Sequence, residues 1–144
     1  MKRIFFLFLA IFTALSANAQ EHSFGTSKVH LWIEYKIKDG SIDTAIDMVK
    51  DISELVSSEP RTLSYEWYLS SKPSTILLLE TYESTEAFAE HWQNISSSDL
   101  LPAWFALVES SSCTLLGGPL DDPIGQNLLQ GCENRPTPLG GFNR

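Results

Sequence analysis

Two carboxylates, two phenols and an imidazole fall within a short stretch of this chain: Glu66 and Glu80, Tyr68 and Tyr82, and His91. They are the side chains best suited to moving a proton near neutrality. An unperturbed histidine titrates near pH ~6.5, and a carboxyl in an apolar site is driven above its usual range. His91, Glu80 and Glu66 are therefore the candidate catalytic groups, and Tyr82, Tyr68 and Phe88 the candidate substrate-binding ones. Taken singly, each has an ordinary structural use. A histidine on an apolar stripe is a hydrogen-bonded core or rim residue, glutamates form ion pairs, and tyrosines suit strands.

Chemistry needs them on one face. Thr62 to Leu69 and Thr75 to Tyr82 are rich in β-branched, aromatic and aliphatic residues, and Ser70 to Ser74 between them reads as a hairpin loop. A five-residue loop sets Leu69 opposite Thr75, Glu66 opposite Leu78 and Ser64 opposite Glu80. Ser64, Glu66, Tyr68, Ile76, Leu78, Glu80 and Tyr82 then share one face, and Tyr65, Trp67, Leu69, Leu77 and Leu79 the other. A slip of one residue would separate the two carboxylates.

The remaining elements frame that hairpin. Val29 to Ile37 alternates with a period of two and is a strand. After Lys38-Asp39-Gly40, apolar residues from Ile42 to Val56 recur at three- and four-residue steps, a helix with Ser41 as N-cap, stopped near Pro60. A second helix starts at Ser84 and carries Ala87, Phe88, His91, Trp92 and Ile95 on one stripe, which points His91 toward the sheet. Leu100 to Val108 reads as helix after Pro102, Cys113 to Leu116 as a short strand, and Pro123 to Gly131 as a last helix. The order is the ferredoxin-like βαββαβ plan, an α+β fold with helices on one face of an antiparallel sheet. The other face is too apolar to be left to water, and a second copy is its simplest cover.

Lys2 and Arg3, an apolar run from Ile4 to Leu15 and Ala17-Asn18-Ala19 form a secretion leader, residues 1–19, cleaved after Ala19. The run is shorter than the ~20 residues of a membrane span. An exported protein, periplasmic or secreted, is expected. Losing Lys2 and Arg3 with the leader takes the formal charge of −8 to −10, which repels phosphate backbones and argues against nucleic acid as a partner. The mature part divides into one domain, residues 20–118, and a C-terminal helix with a docked tail, 119–144. Cys113 and Cys132 are the only cysteines. Export allows a disulfide between them, worth roughly 3 kcal/mol on the chain-entropy model, and two separate buried thiols are the alternative. His22 and His30 lack a second ligand at metal-site spacing, so no metal is assigned. GxSxG, Walker, dinucleotide and CxxC motifs are absent.

The phrase Glu59-Pro60-Arg61-Thr62-Leu63-Ser64-Tyr65-Glu66-Trp67, followed by Glu80-Thr81-Tyr82-Glu83-Ser84-Thr85-Glu86-Ala87-Phe88 and His91, resembles the antibiotic biosynthesis monooxygenase superfamily. Pro138-Leu139-Gly140-Gly141-Phe142 is similar to tails in that group. The resemblance implies a homodimer joined through its sheets as a dimeric α/β barrel, with a pocket between sheet and helices. It further implies oxygenation of quinols or other small aromatics by molecular oxygen with no flavin or metal cofactor. His91 would be base or hydrogen-bond donor, Tyr82 and Tyr68 would position the ring, and Glu80 or Glu66 would orient His91. Relatives that degrade haem use an asparagine that the first strand of this chain lacks. The leader departs from the mostly cytoplasmic members and favours detoxification of quinones or aromatics outside the cytoplasm. The alternative is a non-catalytic barrel that binds a small apolar ligand or a protein partner.

Overall fold

A computed structural model describes residues 28–117 and 123–135. The expected leader and the Pro138 to Phe142 tail lie outside the described residues. The elements are β1 (Val29–Ile37), α1 (Ile42–Val56), β2 (Thr62–Leu69), β3 (Thr75–Tyr82), α2 (Thr85–Ser96), α3 (Leu100–Leu107), β4 (Val108–Gly117), α4 (Pro123–Gly131) and β5 (Glu133–Arg135). The strands form one sheet in the order β2-β3-β1-β4-β5. Its first four strands are antiparallel and β5 adds parallel to β4, giving the expected α+β fold.

Periodicity explains the layers. In β1, Val29, Leu31, Tyr35 and Ile37 are buried, and the intervening Trp32 is exposed. α1 seats Ala45, Ile52 and Val56 on the same side of the sheet and leaves its charged residues in water. Around Tyr35, Ile37, Ile52, Ile76 and Leu78 the core closes on Trp104 of α3, whose ring stands edge-on to Tyr35 at 5.2 Å and to Trp67 at 5.1 Å. Fully burying apolar side chains of this size stabilises by about 1.5–3 kcal/mol each. α2 is started by Ser84, whose hydroxyl accepts from the Ala87 N–H at 3.3 Å, whereas Ser41 makes no side-chain cap at α1.

The hairpin register differs from the expected one. Leu69 faces Ile76 rather than Thr75, and Glu66 faces Leu79 rather than Leu78. Its cause is local. The Ser70 N–H donates to the Thr75 carbonyl at 3.0 Å, and Ser74 takes a left-handed φ of 51°, so only Ser71 to Ser74 form the loop. A serine does not announce that conformation as Gly or Asn would. Every β2 side chain is thereby turned over relative to β3. Tyr65 and Trp67 join Glu80 and Leu78 beneath the helices, while Glu66 and Tyr68 join Leu79 and Leu77 on the open face.

β4 also begins five residues before the expected Cys113, at Val108, because Ser110 to Ser112 pair with Lys36 to Glu34. Cys113 and Cys132 are joined by a disulfide, which fastens α4 and β5 to β4. Among the described residues no helix is long and apolar enough to cross a membrane.

Candidate functional site

A cavity of about 700 Å³ lies between the sheet and α2. Its floor is Leu31, Ile33 and Tyr35 of β1 with Tyr65 and Trp67 of β2, and its roof carries Phe88, His91 and Trp92. α3 closes one side with Trp104, and β4 and α4 close another. The walls are mainly hydrocarbon and aromatic, as in sites for small organic ligands.

His91 is 4% exposed and is fixed from three sides. Its ring packs on Tyr65 at 5.5 Å, on Tyr82 at 5.1 Å and on Phe88 at 6.4 Å. Nδ1 lies 2.9 Å from Glu59 Oε2. The Glu59 carboxylate also accepts from Thr62 Oγ1 at 2.6 Å and from Asn94 Nδ2 at 2.6 Å, so its position is determined by three partners. A carboxylate only accepts, so Nδ1 carries the proton and Nε2 of the neutral ring keeps its lone pair. Burial lowers the His91 pKa below its ordinary value, and Glu59 opposes that shift without reversing it.

Glu80 is displaced the other way. It is 5% exposed, faces Tyr65 across the hairpin, and burial pushes its carboxyl up to about 8. The Glu59 carboxylate adds to the rise and the Tyr82 phenol opposes it. The Tyr82 hydroxyl makes no hydrogen bond of ordinary geometry, although it lies near enough to Glu80 to act on its titration. Burial, followed by the Glu80 charge, also raises the phenols of Tyr35, Tyr65 and Tyr82, so they stay protonated and are donors rather than bases. At neutral pH this leaves a neutral imidazole and a protonated carboxylic acid lining one largely apolar cavity. Oppositely displaced groups of this kind can divide base and acid roles between them.

His91, Glu80 and Phe88 all line the cavity, and Tyr82 supports the His91 ring from below. Glu66 and Tyr68 are elsewhere. Both lie on the open face, where Glu66 accepts hydrogen bonds from the Tyr68 hydroxyl and from Ser64 Oγ at 2.8 Å. The bond from Tyr68, then that from Ser64, holds the Glu66 carboxyl below its usual pKa. Glu66 is therefore not placed to orient His91. Glu59 orients it instead, a residue that sequence reasoning passed over because it sits in the turn after α1. The three-residue step from His91 to Asn94 on α2 is the signal that could have pointed to a shared acceptor. Among the described residues no group of three or more His, Cys, Asp and Glu is arranged to hold a metal ion.

Residues 29–99 match the sequence profile of the antibiotic biosynthesis monooxygenase family. No curated protein matches the chain. Among solved structures, MupZ from Pseudomonas fluorescens superposes with a TM-score of 0.69 at 18% identity, covering 82% of this chain and 95% of that one. Rv0793 from Mycobacterium tuberculosis gives 0.53 at 22% identity, covering 67% and 99%. SO0527 from Shewanella oneidensis gives 0.54 at 20% identity, covering 62% and 89%. At these identities the likeness is one of fold.

Proposed function

This chain belongs to the antibiotic biosynthesis monooxygenase family, whose profile its residues 29–99 match, and on that premise we propose that it oxygenates quinols or other small aromatics outside the cytoplasm, without a cofactor. The observation that carries the reading is geometric: His91, tied through Nδ1 to Glu59, and the buried carboxyl of Glu80 line one largely apolar cavity, where burial displaces their pKa values in opposite directions. His91 Nε2 takes the acidic proton of a phenol, leaving an electron-rich anion. The anion gives one electron to O₂, the radical pair closes a C–O bond at a ring carbon that bears hydrogen, and the peroxide anion takes back the proton that His91 received. His91 then removes the C–H proton as the O–O bond breaks, leaving a carbonyl, and passes that proton on to restore Glu80. One oxygen atom enters the product and the other leaves as water. Glu80 supplies the proton that the departing hydroxide needs. The aliphatic and aromatic lining around His91 and Glu80 limits the water that could reprotonate the anion.

Labelling with ¹⁸O₂ tests this. Purified mature protein supplied with a series of hydroquinones and anthrones is expected to form product bearing one ¹⁸O atom above the uncatalysed background. A non-catalytic barrel that binds an apolar ligand is the second reading, favoured by the fact that the Glu59 network would serve equally well to fix a structural histidine. That reading is correct if the compounds bind and no label is incorporated.

A second copy fits the open face of the sheet. Trp32 and Tyr68 are each 46% exposed there and Leu116 38%, beside half-buried Leu77 and Leu79. A monomer seldom leaves such a patch uncovered. Sedimentation of the mature chain is expected to give a dimer, and Trp32→Glu to shift it toward monomer. A wild-type monomer at micromolar concentration would refute the barrel arrangement.

A further inference from the structure

The cavity is long, and its two ends are built differently. It runs under α2 from Tyr65 and Trp67 on β2 to Ser111 and Cys113 on β4. In the sheet order β2-β3-β1-β4 that crossing spans three strand spacings, roughly 14 Å. His91 sits over the β2 and β3 end, against Tyr65 and Tyr82. The far end is closed by α4 and its junction with β5, through Ile124, Asn127 and Cys132. This arm lies beyond the family-matched residues 29–99, and the Cys113–Cys132 disulfide and the β4–β5 pairing fasten it.

Volume points the same way. A cavity of ~150 Å³ suffices for one benzene ring, and this one measures about 700 Å³. A single-ring ligand would fill only the His91 end and leave the arm untouched.

We propose that the α4–β5 arm is the specificity wall of the cavity, with Ile124 and Asn127 contacting the far end of an elongated, multi-ring aromatic ligand whose reacting ring lies beneath His91. This rests on the reading of the cavity as an aromatic site. Ile124 and Asn127 are three residues apart, so they share a helix face, one supplying an apolar surface and the other an amide that can donate to or accept from a terminal oxygen. The disulfide makes the wall rigid, so that contact with the far ring does not require the arm to be ordered on binding.

The test is a titration of tryptophan fluorescence, Trp67, Trp92 and Trp104 all lining the cavity. Two probes are used, one-ring hydroquinone and three-ring 1,8-dihydroxyanthraquinone, with wild type, Ile124→Ala/Asn127→Ala and Cys113→Ser/Cys132→Ser. Wild type is expected to bind the three-ring probe more tightly. Both variants are expected to lose about tenfold or more of that affinity and to hold the one-ring probe within about twofold. The first variant keeps the disulfide, so a folding defect in the second leaves the comparison intact. Equal losses for both probes, or no loss for either, would overturn the role of the arm while leaving the site reading in place. Failure of wild type to bind either probe would overturn both.

Discussion

His91→Ala is expected to lower the rate of product formation about 10²- to 10⁴-fold, the usual contribution of a positioned general base, while changing ligand affinity only a few-fold. The split follows from the geometry. Affinity comes from the aromatic floor and roof of the cavity, most of which survives the substitution, whereas the lone pair of Nε2 has no substitute. Tyr35, Tyr65 and Tyr82 stay protonated, and Glu80 is itself protonated at neutral pH. Glu59→Gln should give a smaller loss, because an amide can still contact Nδ1 but no longer dictates that Nδ1 carries the proton. It should also move the acid limb of the rate profile to lower pH, since Glu59 is what raises the His91 pKa against the effect of burial. A Glu59→Gln profile identical to wild type in both height and position would show that the pair is structural only.

The second large effect concerns stability. Glu80 has a folded pKa of about 8 against a reference of 4.5. The folded state therefore holds a proton that the unfolded state has already released. Its contribution is fully present below pH 4.5 and is lost as pH rises through about 8. At 1.36 kcal/mol per unit the ceiling is ~5 kcal/mol, and relaxation around the charged carboxylate should leave on the order of 2–4 kcal/mol. Glu80→Gln removes the titration and keeps the shape, so its stability should stay level between pH 6.5 and 9 while that of wild type declines. His91 has the opposite sign: its lowered pKa means that stability is lost as pH falls below about 6.5, when the unfolded chain takes up the proton first. Denaturant melts of both proteins across that range decide the matter. Parallel curves would mean that Glu80 does not titrate as its burial requires.

The backbone plan was legible from the sequence where apolar residues keep a strict period. β1, α1, α2 and both hairpin strands fall within a residue or two of their expected limits. Three things were not legible. Ser110 to Ser112 have neither the alternation nor the bulk of a strand and are strand only because β1 offers them a paired edge. The hairpin register depended on the backbone of Ser74, one residue whose type does not specify its φ. That single step moved Glu66 and Tyr68 out of the candidate site and brought Tyr65 and Trp67 in. His91 and Glu80 kept their places because α2 periodicity fixes the first, and because β3, as an inner strand, buries Glu80 under the helices. Glu59 could not be read from periodicity at all. It lies between elements, and its role depends on three partners from two elements: Thr62 at the start of β2, and His91 and Asn94 on α2.

The protonation of one ring bears most directly on the proposed chemistry. Nitrogen NMR of ¹⁵N-histidine-labelled mature protein at pH 7, with and without an aromatic ligand, reads it nitrogen by nitrogen. The expected spectrum has His91 neutral, with Nδ1 protonated toward Glu59 and Nε2 bare, and the Nε2 resonance moving when ligand is added. A doubly protonated His91 at pH 7, or an Nε2 signal that ligand leaves unmoved, would contradict the assignment of this imidazole as the base of the cavity.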